Sequence, residues 1–210
     1  NQSNSYLKLM QFNFGVRVPI RRQYYDQQVL AKKAVIEKEG IVNAADYEAL
    51  KNELIEKITI ADGALAVGGM SGYKNINIIE LPSSLVEIKA DAFKDCTSLK
   101  NVSIASDSKL KAIRSGSFEN ATAINQIVIP ASVEVIEKDA FKGWTYGQMI
   151  TLPFTRTEIE SKDFEGLKDI KAIINYNGLS SDISAPSAFV DCGNYRSFDG
   201  NIFQCGSYIT

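Results

Sequence analysis

A phenylalanine that returns at nearly constant spacing constrains this chain more than any other feature. Phe93, Phe118, Phe141, Phe164 and Phe189 stand 25, 23, 23 and 25 residues apart, and Ile88, Ile113, Ile136 and Ile159 each precede one of the first four by five positions. Nine positions after the phenylalanine comes an apolar pair at alternate positions: Val102 with Ile104, Ile127 with Ile129, Ile150 with Leu152, then Ile173 with Asn175. Alternation of this kind marks short strands with one inward face. A unit of about 23 residues cannot bury its own apolar face, so such units must stack into a continuous core lined by ladders of equivalent positions. Leu85, Leu110 and Val133 form a further ladder, interrupted by Arg156, which predicts irregularity around Thr155. The small residue before each phenylalanine (Ala92, Ser117, Ala140, Ala188, with Asp163 departing) fits a tight turn.

An earlier, degenerate unit follows from matching Lys74–Ile78 to Lys100–Ile104. This match places Val67 in the phenylalanine position and starts the array near Ile58. The same register gives two outward rows, one of Asn75, Asn101, Gln126, Met149 and Ala172, the other of Asn77, Ser103, Val128, Thr151 and Ile174. Asn101, Ser103, Gln126, Val128, Met149, Thr151, Ala172 and Ile174 are the candidate partner-binding residues. Outward apolar side chains such as Val128, Met149, Ala172 and Ile174 mark a partner site in one reading. In the other, short strands tolerate apolar residues on both faces, or the tail folds back over them.

The flanks read as caps. Residues 1–57 divide into a polar and aromatic extended arm (residues 1–22) and two helices. The first, Tyr24–Glu39, carries Tyr25, Val29, Lys32 and Ile36 on one face and ends at Gly40; the second starts at Asn43 with Asp46 three residues on, then Tyr47, Leu50, Leu54 and Ile58. Together they predict an α-helical hairpin over the open end of the array, with a self-associating coiled coil as the alternative. Residues 58–192 are the repeats. Residues 193–210 form an aromatic tail in which Asp199-Gly200 is a hairpin turn between strands at 195–198 and 202–205. The tail reads as a second cap or as a recognition surface.

Catalytic chemistry is poorly supplied. The chain has no histidine, which removes the usual general base, the commonest metal ligand and any Ser-His or Cys-His pair. Its three cysteines lack CxxC spacing. Cys96 and Cys192 share the slot of Ala121, Trp144 and Leu167, three residues after the phenylalanine, and read as buried thiols; a Cys192–Cys205 pair remains open for an oxidising compartment. Glu134, Glu137 and Asp139 stand in repeat turns without a convergent pocket, and Val67-Gly-Gly-Met70 lacks the Lys-Ser/Thr of a phosphate loop. Lys109, Lys111 and Arg114 read as a solvated basic turn. Asn101-Val-Ser103 and Asn120-Ala-Thr122 match the glycosylation sequon. A net charge of −2 gives no nucleic-acid footprint, and no apolar run approaches the length of a membrane span. The expectation is a protein that is not an enzyme, with no cofactor, no metal, no nucleic-acid partner and no transmembrane segment.

Leu81-Pro-Ser-Ser-Leu-Val-Glu-Ile88, then Phe93-Lys-Asp-Cys-Thr-Ser-Leu-Lys-Asn-Val-Ser-Ile104, and the echo Ile129-Pro-Ala-Ser-Val-Glu-Val-Ile136 resemble the BspA-like, or Treponema-type, leucine-rich repeats over roughly Ile58 to Cys192. The resemblance implies a β-rich leucine-rich-repeat solenoid, a right-handed curved superhelix with one strand ladder on its concave face. It also implies a bacterial surface or secreted protein, adhesin-like, with a protein or glycan ligand such as a host matrix protein. A structural, self-associating segment of a larger surface protein is the alternative, separable by concentration-dependent mass measurement with and without residues 1–57.

Overall fold

The computed structural model describes residues 32–52, 55–145, 147–153, 167, 170, 172–177, 196–198 and 202–204. The extended arm at 1–22, the start of the first expected helix, Thr155 and Arg156, Phe164, Phe189, Cys192 and Cys205 lie outside them. Each turn of the chain contributes one strand to a principal ladder, and most also contribute one to a second ladder. The principal ladder consists of β1 (Lys33–Ile36), β3 (Lys57–Ile60), β5 (Ile78–Leu81) and β7 (Asn101–Ile104), then β9 (Gln126–Val128), β11 (Met149–Pro153) and β12 (Ile173–Asn177). The second consists of β2 (Gly40–Val42), β4 (Ala64–Val67), β6 (Glu87–Ile88), β8 (Ala112–Ile113) and β10 (Val135–Ile136). All of these pairings are parallel, which is what a chain climbing one level per turn requires.

The core follows the repeat. Phe93, Phe118 and Phe141 are fully buried and stack with ring centroids 5.4 and 5.5 Å apart, and Trp144 closes the column edge-on at 4.9 Å. Ile88, Ile113 and Ile136, together with Leu85, Leu110 and Val133, are equally buried. Ala92, Ser117 and Ala140 are small because they too are sealed inside. Two columns of left-handed backbone frame each phenylalanine. Asp91, Gly116 and Asp139 stand two residues before it and Asp95, Asn120 and Gly143 two residues after, all with φ between 55° and 87°. Only Gly, Asn and Asp enter that region at low cost. A Cβ on Gly116 would meet Asp91 Oδ1, so any other residue there requires the aspartate side chain of the preceding turn to shift.

The polar groups at the turns are tied to the level before. Cys96 Sγ donates to Met70 O, Trp144 Nε1 to Phe118 O, and Tyr73 Oη to both Leu50 O and Ile55 O. Cys96, Ala121, Trp144 and Leu167 are all buried, in keeping with their shared slot.

Three expectations are corrected. The N-terminal helical hairpin does not form over the described residues, because Lys33–Ile36 is a strand. Ala34 and Ile36 point inward at period two, and its partner Lys57–Ile60 supplies a ladder that outweighs the local three-and-four spacing. Gly40 accordingly opens β2 beside a register shift at Gly40/Ile41, at φ 79°, instead of capping a helix. The second helix does form, as α1 (Ala44–Asn52), with Ala45 N donating to Asn43 Oδ1 and Asn43 N to Asp46 Oδ2. It stops before Ile58, which belongs to β3, and among the described residues the ladder already includes Lys33–Ile36, well before Ile58.

The degenerate unit is also out of register. Met70 N donates to Ala92 O as Phe93 N donates to Ser117 O and Phe118 N to Ala140 O, so Met70 holds the phenylalanine position. Val67 pairs with Ile88 and holds the isoleucine position instead. That turn is two residues shorter, three positions from Val67 to Met70 against five from Ile88 to Phe93.

The two C-terminal strands pair as expected, while the turn residues Asp199-Gly200 lie outside the described residues. β13 (Arg196–Phe198) and β14 (Ile202–Gln204) pair antiparallel with Phe198 opposite Ile202, and β14 extends the principal ladder by pairing antiparallel with β12.

Candidate functional site

The ladder register decides which side chains share the outward rows. Ile78 pairs with Asn101 and Glu80 with Ser103, so Ile78 and Glu80 take the row positions assigned above to Asn75 and Asn77. The repeated Leu81-Pro82 and Ile129-Pro130 junctions carry this register; the Lys74-Asn-Ile match is the weaker signal. At the other end Met149 pairs with Ile173 and Thr151 with Asn175, so the backbone partners of these two row residues are not Ala172 and Ile174. Ala172 is fully buried, and Ile174 pairs with the buried Ile150. Thr151 is buried and Met149 half-buried. Asn101, Ser103, Gln126 and Val128 remain, and all four are exposed, Val128 by 48 %.

These four line one groove of about 890 Å³ together with Lys100 and Asn125. Its origin is a break in the principal ladder. β1, β3, β5 and β7 form one hydrogen-bonded sheet, and β9, β11, β12, β14 and β13 another, with no ladder joining β7 to β9. The second ladder runs unbroken past the same level, through β6, β8 and β10. Val102 and Ile104 are only half-buried, whereas Ile79, Ile127, Ile129, Ile150 and Leu152 in equivalent places are sealed. Val102 and Ile104 still pack against the core, so the parting of the ladder uncovers their outer sides.

The turn that follows β7 is also the longer one. Three residues, Pro82-Ser-Ser84, join Leu81 to Leu85, and Pro130-Ala-Ser132 join Ile129 to Val133, but the five residues Ala105–Lys109 join Ile104 to Leu110. The longer loop is held in place: Ser83 Oγ donates to Asp107 Oδ1 at 3.0 Å, Lys109 N to Ser83 O at 3.0 Å and Leu110 N to Ser108 Oγ at 3.1 Å. The uneven spacing of 25 residues between Phe93 and Phe118 carries the signal for this insertion.

The N-terminal part of the ladder face satisfies its own charges. Glu80 accepts from Lys57 Nζ and Thr59 Oγ1, both at 2.6 Å, and these bonds hold its carboxyl below the usual range. The groove does not: it has no carboxylate in its lining, and Lys100 makes no ion pair among the described residues.

Two of the three residues of the expected basic turn are paired with carboxylates of neighbouring turns. Arg114 bridges Glu137 at 2.9 Å and Glu87 at 3.4 Å, and Lys111 pairs with Glu134 at 3.0 Å. This also places two of the three carboxylates considered for catalysis in salt bridges. Among the described residues no three His, Cys, Asp or Glu side chains gather as a metal site, and no helix is long and apolar enough to cross a membrane.

The BspA type leucine rich repeat region matches residues 69–196 in six copies. Among solved structures, a leucine rich cell surface protein from Faecalibacterium prausnitzii is 23% identical, with a TM-score of 0.47, over 62% of this chain and 35% of its own. The leucine rich repeat protein of T. pallidum is 18% identical, with a TM-score of 0.39, over 70% of this chain and 75% of its own. A leucine-rich repeat protein from Eubacterium ventriosum is 15% identical, with a TM-score of 0.46, over 76% of this chain and 47% of its own. The match thus spans about a third of the Faecalibacterium protein and under half of the Eubacterium one. Comparison with curated proteins found no match. With the repeat matched over well over half its length and seen as stacked turns, the chain belongs to the BspA-type leucine-rich repeat family.

Proposed function

We propose that this chain is a non-catalytic binding module of a bacterial surface or secreted protein, adhesin-like, that holds a protein or glycan partner on its principal ladder face. The observation that carries the reading is the groove at the β7–β9 break, where Asn101, Ser103, Gln126 and Val128 converge with their side chains free. Amides, a hydroxyl and one isopropyl group supply hydrogen bonding and a small apolar contact but no acid–base pair, which suits recognition and not turnover. Met149 and Thr151 stand at the margin of the site.

The test is a binding screen of the purified chain against immobilised matrix proteins and glycans, beside a Ser103→Lys/Val128→Asp variant. Both changes are at exposed positions, so the melting temperature is expected to hold. A partner bound by the parent and lost by the variant supports the reading; equal binding by both moves the site off this face.

One observation favours a structural role instead. Ile41, Leu65 and Val86 are exposed by 49 %, 52 % and 38 % and lie at adjacent levels of the second ladder. Self-association through this row predicts a mass that rises with concentration in sedimentation and returns to the monomer in Leu65→Lys.

A further inference from the structure

We propose that the open edges of both ladders at the N-terminal end are closed by the chain's own residues 12–25, which add one further turn to the array with Phe12, Phe14, Ile20 and Tyr25 in its core positions. The first argument is burial. β1 and β2 are the outermost described strands of their ladders at this end, and Tyr47 stands five positions after Val42, as Phe93 stands five after Ile88. A level at the bare end of a stack turns one whole side to water, yet Ala34, Ile36, Val42 and Tyr47 are each at most 6 % exposed. These values require a cover, and no described strand lies on that side. The main chain is open there as well. In a parallel strand each residue aims its N–H and C=O to the same side, and successive residues alternate. Ala61 N donates to Ile36 O, so Ile36 and with it Ala34 face β3, while Val35 faces the open side. Gly40 N donates to Gly63 O and Gly68 N to Val42 O, so Ile41 faces the open side of the second ladder. Edges of this kind are templates for another strand.

The second argument is register, and it selects the occupant. Ala34, Ile36, Val42 and Tyr47 each find an apolar counterpart 22 residues earlier, in Phe12, Phe14, Ile20 and Tyr25. That step belongs to the array: Ala34 pairs with Ile58, Ile58 with Ile79 and Ile79 with Val102, at steps of 24, 21 and 23. Spacing within the turn agrees, since Tyr25 precedes Lys33 by eight positions, as Phe93 precedes Asn101 and Phe118 precedes Gln126. The third argument is Pro19. At the same step it meets Ile41, and the alternation that turns Val18 and Ile20 toward β2 turns Pro19 away from it. Its missing N–H then breaks no ladder bond, which is where a strand tolerates proline. Only seven residues tether Tyr25 to Lys33, so this segment is held near the edge at a local concentration that a second copy or another protein does not reach.

Cysteine pairing in the full chain tests this, with Cys192→Ser and Cys205→Ser as background. The register sets Asn13 beside Val35, which is half-buried on the ladder face. Paired Cα atoms of adjacent strands lie within the reach of a disulfide, and those of strands two levels apart do not. Asn13→Cys/Val35→Cys is expected to close a disulfide within one chain under mild oxidation, identified by peptide mass spectrometry. It should do so about tenfold faster than Asn13→Cys/Thr59→Cys, since Thr59 is the partner of Val35 one level further in. A second measurement needs no new cysteine. The amides of Val35 and Ile41 are expected to exchange slowly in the parent, and Phe14→Asp should speed both by about tenfold while the amide of Phe118 keeps its rate. Equal linkage of the two cysteine pairs, or exchange at Val35 and Ile41 indifferent to Phe14→Asp, would overturn the proposal. A link that forms only between two chains would overturn it too and assign the edge to a second copy.

Discussion

Phe118 sits between Phe93 and Phe141 with no exposed surface, and its ring touches both. Nothing around it is free to close a cavity, since each neighbouring turn is fixed by its own ladder. Phe118→Ala is expected to destabilise the fold by about 3–5 kcal/mol in urea denaturation, and a change under about 1 kcal/mol would contradict the packing. Cys96 offers a pH signature in the same core. Burial pushes its thiol from 9.0 up to about 11. A raised value means that the unfolded thiol ionises first. The stability tied to the neutral thiol is therefore complete below pH 9.0 and is lost as the pH climbs to about 11. Denaturation midpoints between pH 8 and 11 should fall more steeply for the parent than for Cys96→Ala; Tyr73, pushed up to about 12, contributes equally to both. Parallel curves would show that Cys96 is not sealed.

Among the elements, the loop at Ala105–Lys109 has the largest consequence. Replacing those five residues with Pro-Ser-Ser, the connection used at 82–84, should let β7 settle onto the core and pair with β9. Burying the remaining halves of Val102 and Ile104 adds roughly 1–2 kcal/mol, and the amides of Gln126 and Val128 should become protected from hydrogen exchange. Unchanged exchange would mean that the loop is not what parts the ladder. The element scale also shows where the sequence is readable. Positions repeated by identity, Phe93 through Phe141 and Leu81-Pro through Ile129-Pro, carry their own register, and the core they predict is the core observed. Where the match rests on a resemblance of composition, as at Lys74–Ile78, a turn shortened by two residues shifts the frame unseen. Lys33–Ile36 misleads for a different reason: its strand is decided by a partner at Lys57–Ile60, and local spacing holds no trace of that pairing. The two left-handed columns beside each phenylalanine recur in the sequence as Asp, Asn and Gly, a signal that reading the turn from the small residue before the ring passes over.

For the whole molecule, one apolar column runs from Ala34 to Ala172 and is stitched on the outside by ion pairs between successive turns, Lys57–Glu80, Lys94–Glu119 and Lys111–Glu134. Such exposed pairs add little individually; stacking holds the levels together. Of the eight residues expected to meet a partner, four converge on the groove, because the strand period alone places them outward. The groove itself comes from the level at which the principal ladder parts while the second ladder does not, a difference between two sides of one turn. The most direct measurement is therefore binding by the variant with residues 105–109 replaced, compared with the parent on the same panel of matrix proteins and glycans. The account predicts a more stable protein that no longer binds. A stabilised variant that binds as the parent does would contradict the assignment of the β7–β9 groove as the site.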